Sequence, residues 1–419
     1  MTTAGNGRSA TVLVTDADRG AAITVIRSLG RAGFRVIAAD ANTRSLGFRS
    51  RYTRERLVYP SPGTAPEAFV ETLCRAVRSR HVDLLIPVTD VTVHLVASHR
   101  DRLEPMCRVA VAEDAPLRMV VDKCETMRLA ERLGVPIPRT SIVETLEEAA
   151  AAAEVLGWPV VIKTATSACY VRSTGRLERR GARYANSAEQ LARCLGPDAD
   201  GGRFLIQEYC PGVGQGVEIL ADRGRVLAAF QHKRLAEIPV SGGASAWRES
   251  VPLDPTLYRY AARLVEALSW TGLIMVEFKV GSCVKLMEIN GRVWGSLPLA
   301  VLSGVDFPAR LATLLLDGPP VEAAGTQTSY RLGVRAFNLE LISLWILEVL
   351  AGRRRYPFLP YPRRRDAVAA ALGLFDAKGR FDILSREDPR PGLAEFPKIA
   401  RKLARKLGAS ARRAEGADG

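Results

Sequence analysis

Met275-Val-Glu-Phe278 and Glu288-Ile-Asn-Gly-Arg292 decide how this chain is read. Glu277 and Glu288 stand eleven residues apart, each inside an apolar, strand-like run, residues 273–280 and 284–289. Gly281-Ser282 between the runs reads as a hairpin turn. Glu277, Glu288 and Asn290 then form an all-oxygen set on adjacent strands. Mg²⁺ favours such a set, usually with phosphate oxygens and water completing its shell. Arg292 has the planar fork that holds a phosphate or carboxylate bidentately. The competing reading is two edge-strand glutamates facing solvent beside a structural arginine.

Two stretches upstream bear on that choice. Pro159-Val-Val-Ile-Lys163 is a short apolar strand ending in a lysine. Leu205-Ile-Gln-Glu-Tyr-Cys-Pro-Gly-Val-Gly-Gln-Gly-Val-Glu218 reads as strand, Pro/Gly turn and second strand. With these motifs in this order, the chain resembles the ATP-grasp superfamily, over roughly residues 10–320. That superfamily holds carboxylate–amine and carboxylate–thiol ligases and biotin-dependent carboxylases, and the carbamoyl-phosphate-synthase-like members are nearest in pattern. The resemblance implies an α/β chain: an ATP-grasp fold with an N-terminal Rossmann-like (pre-ATP-grasp) domain and a basic C-terminal extension. The expected divisions are 1–118, 119–320 with a lid at about 140–210, and 321–419.

Composition is ordinary for a globular protein, with 47% hydrophobic and 25% charged residues among 419. No apolar run approaches the roughly 20 residues that span a bilayer. The opening Met-Thr-Thr-Ala-Gly-Asn-Gly-Arg lacks an apolar stretch, so no secretory signal is expected. Seven scattered cysteines without a C-x-x-C pair point to reduced thiols and a cytoplasmic chain. His81, His94, His99 and His232 show no metal-ligand spacing.

Residues 11–118 alternate strand and helix signals, which argues for a parallel sheet covered by helices. Asp40 follows the second strand, but the first turn, Thr15-Asp-Ala-Asp-Arg-Gly20, lacks the Gly-x-Gly-x-x-Gly that a dinucleotide site needs. Asp16, Arg19 and Asp90 lie at the carboxyl ends of predicted strands, where a ligand is met.

The resemblance assigns further roles. Lys123, at a helix start, and Lys163 would reach ATP phosphates. Gln207, Glu208 and Tyr209 would form the hinge that binds adenine or ribose, and Glu218 would face ribose or a basic partner. Glu277, Glu288 and Asn290 would hold Mg²⁺, with Mn²⁺ as a substitute. Lys233, Arg234 and Arg292 would act on the moving phosphate, and the Ser241–Ser245 stretch would wrap substrate. The lid departs from the family: residues 164–176 hold a single glycine, and Ser167, Arg172, Ser173 and Arg176 stand as replacements for a glycine-rich loop. Trp294-Gly-Ser lies where carboxylases place an acid, and Trp294 would give the pocket an aromatic wall.

The expected reaction joins a small-molecule carboxylate to an amine through an acyl phosphate. A carboxylase, another phosphoryl transfer, or a non-catalytic envelope-associated scaffold are the alternatives. Residues 351–419 carry 17 Lys/Arg against 8 Asp/Glu. Ile399, Leu403 and Leu407 make a narrow apolar stripe there. From this the tail is expected to be dispensable for chemistry and to meet an anionic surface weakly, placing the protein peripherally at the inner membrane or on an acidic partner. The alternative is a solvated end. No specific nucleic-acid contact is expected, and a homodimer is admitted.

Overall fold

A computed structural model of the chain describes residues 9–166, 168–171, 176–179, 181–196, 202–319, 326–352, 355–376 and 379–415, with backbone alone at 168–171, 176–179 and 408–415. The N-terminal part is a five-stranded sheet in the order Thr53–Val58, Arg35–Asp40, Thr11–Val14, Leu84–Ile86, Arg108–Val109. All its pairings are parallel. The central strands are continuous apolar runs because helices cover both faces. Gly20–Arg31 lies on one side and Pro66–Arg80 on the other. The edge strand Thr53–Val58 reads Thr-Arg-Glu-Arg-Leu-Val, too charged to be predicted; its exposed positions are those an edge leaves in water.

Helix Asp114–Val121 runs across the expected boundary at 118/119 and leads into helix Lys123–Arg132. Asp122 caps the second helix, its carboxylate accepting from the Cys124 and Glu125 N–H groups. Next comes a four-stranded antiparallel sheet, ordered Arg183–Ala185, Val160–Thr164, Phe204–Glu208, Thr140–Val143. Helices Leu146–Leu156 and Ala188–Leu195 bury their apolar stripes on one face of it.

The largest sheet has seven strands, in the order Val284–Asn290, Gly272–Val280, Val213–Asp222, Arg225–Ile238, Ala244–Ser250, Arg335–Phe337, Gly379–Phe381. One face packs on helix Pro255–Ala267 around Trp270 and Phe278. The other packs on Leu297–Ser303, Phe307–Asp317 and the N-terminal helix Gly20–Arg31, around Phe230, Trp294 and Phe307. The last two strands come from beyond residue 320, so the C-terminal stretch completes this sheet.

The C-terminal helix Pro389–Glu415 is docked on the protein, which corrects the expectation of a solvated or surface-seeking tail. Ile399 of the apolar stripe is buried, and only Leu407 stays exposed. The helix's lysines pair internally: Lys398 with Asp18 at 2.9 Å, Lys406 with Glu348 at 2.9 Å, and Lys402 with Glu340. Just before the helix, Asp388 forms a buried ion pair with Arg27 at 2.9 Å and accepts from Ser50 Oγ at 2.7 Å. The helix lies against both the Leu46–Arg49 turn and helix Leu339–Ala351. Among the described residues no single helix is long and apolar enough to cross a membrane.

Candidate metal–phosphate site

The hairpin of Gly272–Val280 and Val284–Asn290 places Glu277 directly opposite Glu288, and Met275 opposite Asn290. Residues opposite one another in an antiparallel pair share a face. Val276, Phe278 and Ile289 point into the core beneath helix Pro255–Ala267, so strand alternation sends both carboxylates to the other side. The neighbouring strand contributes Gly216, paired with both Glu277 and His232. A Cβ there would lie 2.5 Å from His232 Cε1, so only glycine lets the imidazole lie across that strand. Arg234 emerges two residues further on the same face.

These groups form one charged cluster. Asn290 Nδ2 donates to Glu277 Oε1 at 3.2 Å and to Glu288 Oε1 at 3.1 Å. Arg234 bonds Glu277 at 2.5 Å and Glu237 at 2.8 Å, and donates to the Gly243 carbonyl at 3.2 Å. Lys163 Nζ donates to the Met287 carbonyl at 3.3 Å. Lys123 is buried beside Glu288, at the mouth of helix Lys123–Arg132.

Burial pushes the Glu277 carboxyl up to about 7; Arg234 opposes the shift and Glu288 adds to it. Burial also acts against the charged form of Glu288, but Lys123, Asn290, Lys163 and Arg234 outweigh it and hold that carboxyl below its usual range. Burial, with Lys123 alongside, lowers Lys163 to about 8. Glu288 is therefore the fixed anion of the pair.

The donor set fits a magnesium–polyphosphate rather than a bare cation. Among the described residues no three His, Cys, Asp or Glu side chains converge. Two carboxylates and an amide leave half of an octahedral shell to phosphate and water. Lys123, Lys163 and Arg234 would repel a naked dication but neutralise phosphate oxygens. Asn290 presents its amide nitrogen to the carboxylates and its oxygen to Arg292 at 3.3 Å, so a half-turn of the amide is needed before it ligates metal.

Several expected residues lie elsewhere. Lys233 alternates to the opposite face and pairs with Glu249 at 2.9 Å, so it cannot act beside Arg234. Glu218 is wholly buried, accepting from Ser296 Oγ at 2.8 Å and lying 3.0 Å from His232 Nδ1. It meets a basic partner, not a ribose. The Glu208 carboxylate accepts from the Arg139 N–H at 2.9 Å and Nε at 2.8 Å, and lies 3.5 Å from Lys285. Those bonds outweigh the upward push of burial and hold its pKa low, so its oxygens are engaged at the hinge rather than turned to an adenine amino group. Gln207 is buried and donates to Thr140 at 2.9 Å. The Tyr209 ring meets Tyr184 at 6.2 Å.

Arg292 is taken by Asp90, its Nη2 donating to Asp90 Oδ2 at 3.1 Å with Nε on the other oxygen. Asp16 turns inward, accepting from Thr92 Oγ1 at 2.7 Å and the Thr89 N–H at 3.1 Å, while Arg19 is exposed. Trp294 is a core residue edge-on to Phe307, not a pocket wall. The expected substrate loop is held at its first residue and its middle, since Tyr184 donates to the Ser241 carbonyl at 2.6 Å and Arg234 donates to the Gly243 carbonyl. Ser167, Arg172 and Ser173 lie outside the described residues, as does the Arg176 side chain. Sequence reading missed Ser296, Glu237 and Arg139. Strand alternation would send Glu237 to the face opposite Arg234, but the strand is irregular between them and the two side chains meet; nothing local marked any of the three.

Similarity to known proteins agrees with this architecture. Residues 202–338 match the family described as "ATP-grasp in the biosynthetic pathway with Ter operon", and residues 112–223 match an ATP-grasp domain family. The large chain of carbamoyl phosphate synthase from Thermomicrobium roseum is 30% identical over 259 residues, covering 55% of this chain and 23% of that one. The Thermus thermophilus large chain is 26% identical over 212 residues, 48% of this chain and 20% of that one. This chain thus spans under a quarter of those relatives. Among solved structures, biotin carboxylase from Campylobacter jejuni superposes with a TM-score of 0.61 at 17% identity, over 78% of this chain and 74% of that one. L-amino acid ligase from Bacillus licheniformis gives 0.59 at 14%, over 78% of each. The chain belongs to the ATP-grasp superfamily.

Proposed function

We propose that the protein is an ATP- and Mg²⁺-dependent ligase that activates a carboxylate and joins it to an amine. The observation that carries this reading is the Glu277–Glu288 pair beneath Asn290, ringed by Lys123, Lys163 and Arg234. When bound, ATP with Mg²⁺ supplies the phosphoryl group: a carboxylate oxygen bonds the γ-phosphorus, the bridging P–O bond breaks, and ADP leaves. The amine lone pair then attacks the acyl carbon, phosphate departs, and the nitrogen loses a proton.

The chain's part is positioning and charge neutralisation. Glu288, Glu277 and, after its half-turn, Asn290 would hold the metal. Lys163 and Lys123 would sit against the phosphates as point charges. Arg234 stays protonated because Glu277 and Glu237 outweigh the cost of its burial. It would neutralise the transferred group and, through Gly243, position the Ser241–Ser245 loop. Support for a ligase over a carboxylase comes from Trp294-Gly-Ser296, where Ser296 serves Glu218 and no acid is offered. The test is a matrix of acids and amines assayed for ADP and phosphate. Release that needs both partners supports the reading, and release with acid and bicarbonate alone overturns it.

A further inference from the structure

A cavity of about 820 Å³ opens directly from the metal–phosphate cluster and runs between helices Asp90–Ser98 and Asp114–Val121. Its inner end is formed by Lys123, Glu288 and Arg292. Its walls are apolar: Val93, Ala97, Leu117, Val120 and Val121. Val121 leaves 48% of its surface exposed there, adding to the apolar wall. The volume lies in the upper part of the range for small-molecule sites, roughly 300–1,000 Å³, and exceeds what an amino-acid side chain fills.

The charges lining this cavity select between an acid and an amine. Asp114 pairs with Arg100 at 3.1 Å, Asp122 with Arg203 at 2.6 Å and Glu125 with Arg128 at 2.7 Å, and Asp90 is held by Arg292. Glu288, the remaining carboxylate, belongs to the metal set. Each lining carboxylate is thus matched to a cation or to the metal set, whereas Arg118 on the wall and Lys123 beside Glu288 give the cleft a positive charge that suits an anion.

We infer that this cavity binds the body of the acid substrate, and that the acid is one with a long or bulky hydrocarbon part whose carboxylate lies at the Lys123–Glu288 end. The inference rests on the ligase reading above and adds the substrate's class to it. Each methylene drawn from water into the cleft strengthens binding about fourfold. A chain of several such groups is therefore held far more tightly than acetate.

Calorimetric titration of the full chain in Mg²⁺ and a non-hydrolysable ATP analogue tests this, with octanoate, 4-phenylbutyrate, acetate and octylamine as probes. Octanoate or phenylbutyrate should bind at least tenfold more tightly than acetate or octylamine. Ala97→Trp, which fills the cleft, and Val121→Asn, which makes one wall polar, should each weaken that binding at least fivefold while nucleotide affinity and the unfolding midpoint hold. The inference fails if the nucleotide binds but neither apolar acid outbinds acetate, or if both folded variants bind the acids as the parent does. Absence of Mg²⁺–nucleotide binding in the parent would overturn the ligase reading itself, and the inference with it.

Discussion

Arg292 and Asp90 lock the Glu277–Glu288 hairpin to the N-terminal sheet: the guanidinium, two residues past Asn290, grips both oxygens of the first residue of helix Asp90–Ser98. Arg292 Nη2 also donates to Asn290 Oδ1 at 3.3 Å. The pair therefore fixes which way the Asn290 amide faces, and the N-terminal domain acts on the site through one bidentate contact.

Breaking that contact should couple the two side chains. A double-mutant cycle with Asp90→Ala and Arg292→Ala is expected to give an interaction energy of about 1–3 kcal/mol in unfolding free energy. Additive single effects would mean that the pair is incidental.

Lys163 and Glu277 should separate in metal-free nucleotide binding. Lys163 would touch phosphate directly, whereas Glu277 would act through the metal. Without Mg²⁺, Lys163→Ala should weaken ATP binding about tenfold, the equivalent of about 1.4 kcal/mol. Glu277→Gln should not weaken it. Equal affinities for the parent and Lys163→Ala would remove Lys163 from the phosphate site.

Truncation near Gly352 should unfold the chain rather than merely relocate it. The cut removes strand Gly379–Phe381 and leaves Arg248 without Asp382 and Arg27 without Asp388, both buried pairs. Leaving one buried charge unpaired costs about 3–5 kcal/mol. Asp388→Ala alone should lower stability by roughly that amount, and a loss below about 1 kcal/mol would show that the C-terminal helix is docked only loosely.

Stability should fall with rising pH through Glu395. This carboxyl is 3% exposed, and burial, with Asp382 and Glu340 nearby, raises its pKa from 4.5 to about 7. The folded state then holds the proton more tightly than the unfolded state, so the carboxyl costs nothing below about pH 4.5 and progressively more up to about pH 7. The full cost is on the order of 3 kcal/mol. Glu395→Gln should match the parent at pH 4.5 and exceed it in unfolding free energy at pH 8. A pH-independent difference would contradict the assignment.

The legible part of the sequence was local. Apolar runs closed by Gly281 announced strands whose observed limits differ by one residue, whereas the Pro211–Gly216 stretch expected as a turn is already strand from Val213. The Glu277–Glu288 juxtaposition followed from hairpin register, which spacing alone suggests. What stayed hidden depends on contacts between distant residues. Arg292 and Asp90 were each marked as ligand-facing, yet 202 positions separate them and nothing local says that they meet. Lys233 and Arg234 were treated as one basic patch, although adjacent strand residues must point to opposite faces. The Ile399 helix looked like a surface helix because one element it packs on, the Leu46–Arg49 turn, comes from the other end of the chain. An amphipathic stripe states that a partner exists, not which one.

The central claim, a metal–nucleotide centre on Glu277 and Glu288, is tested most directly by titrating a non-hydrolysable ATP analogue with and without Mg²⁺. The parent should gain at least tenfold in affinity when Mg²⁺ is added, and the folded Glu277→Gln/Glu288→Gln double variant should lose that gain while keeping its metal-free affinity. A parent indifferent to Mg²⁺, or a double variant that keeps the full gain, would contradict the account.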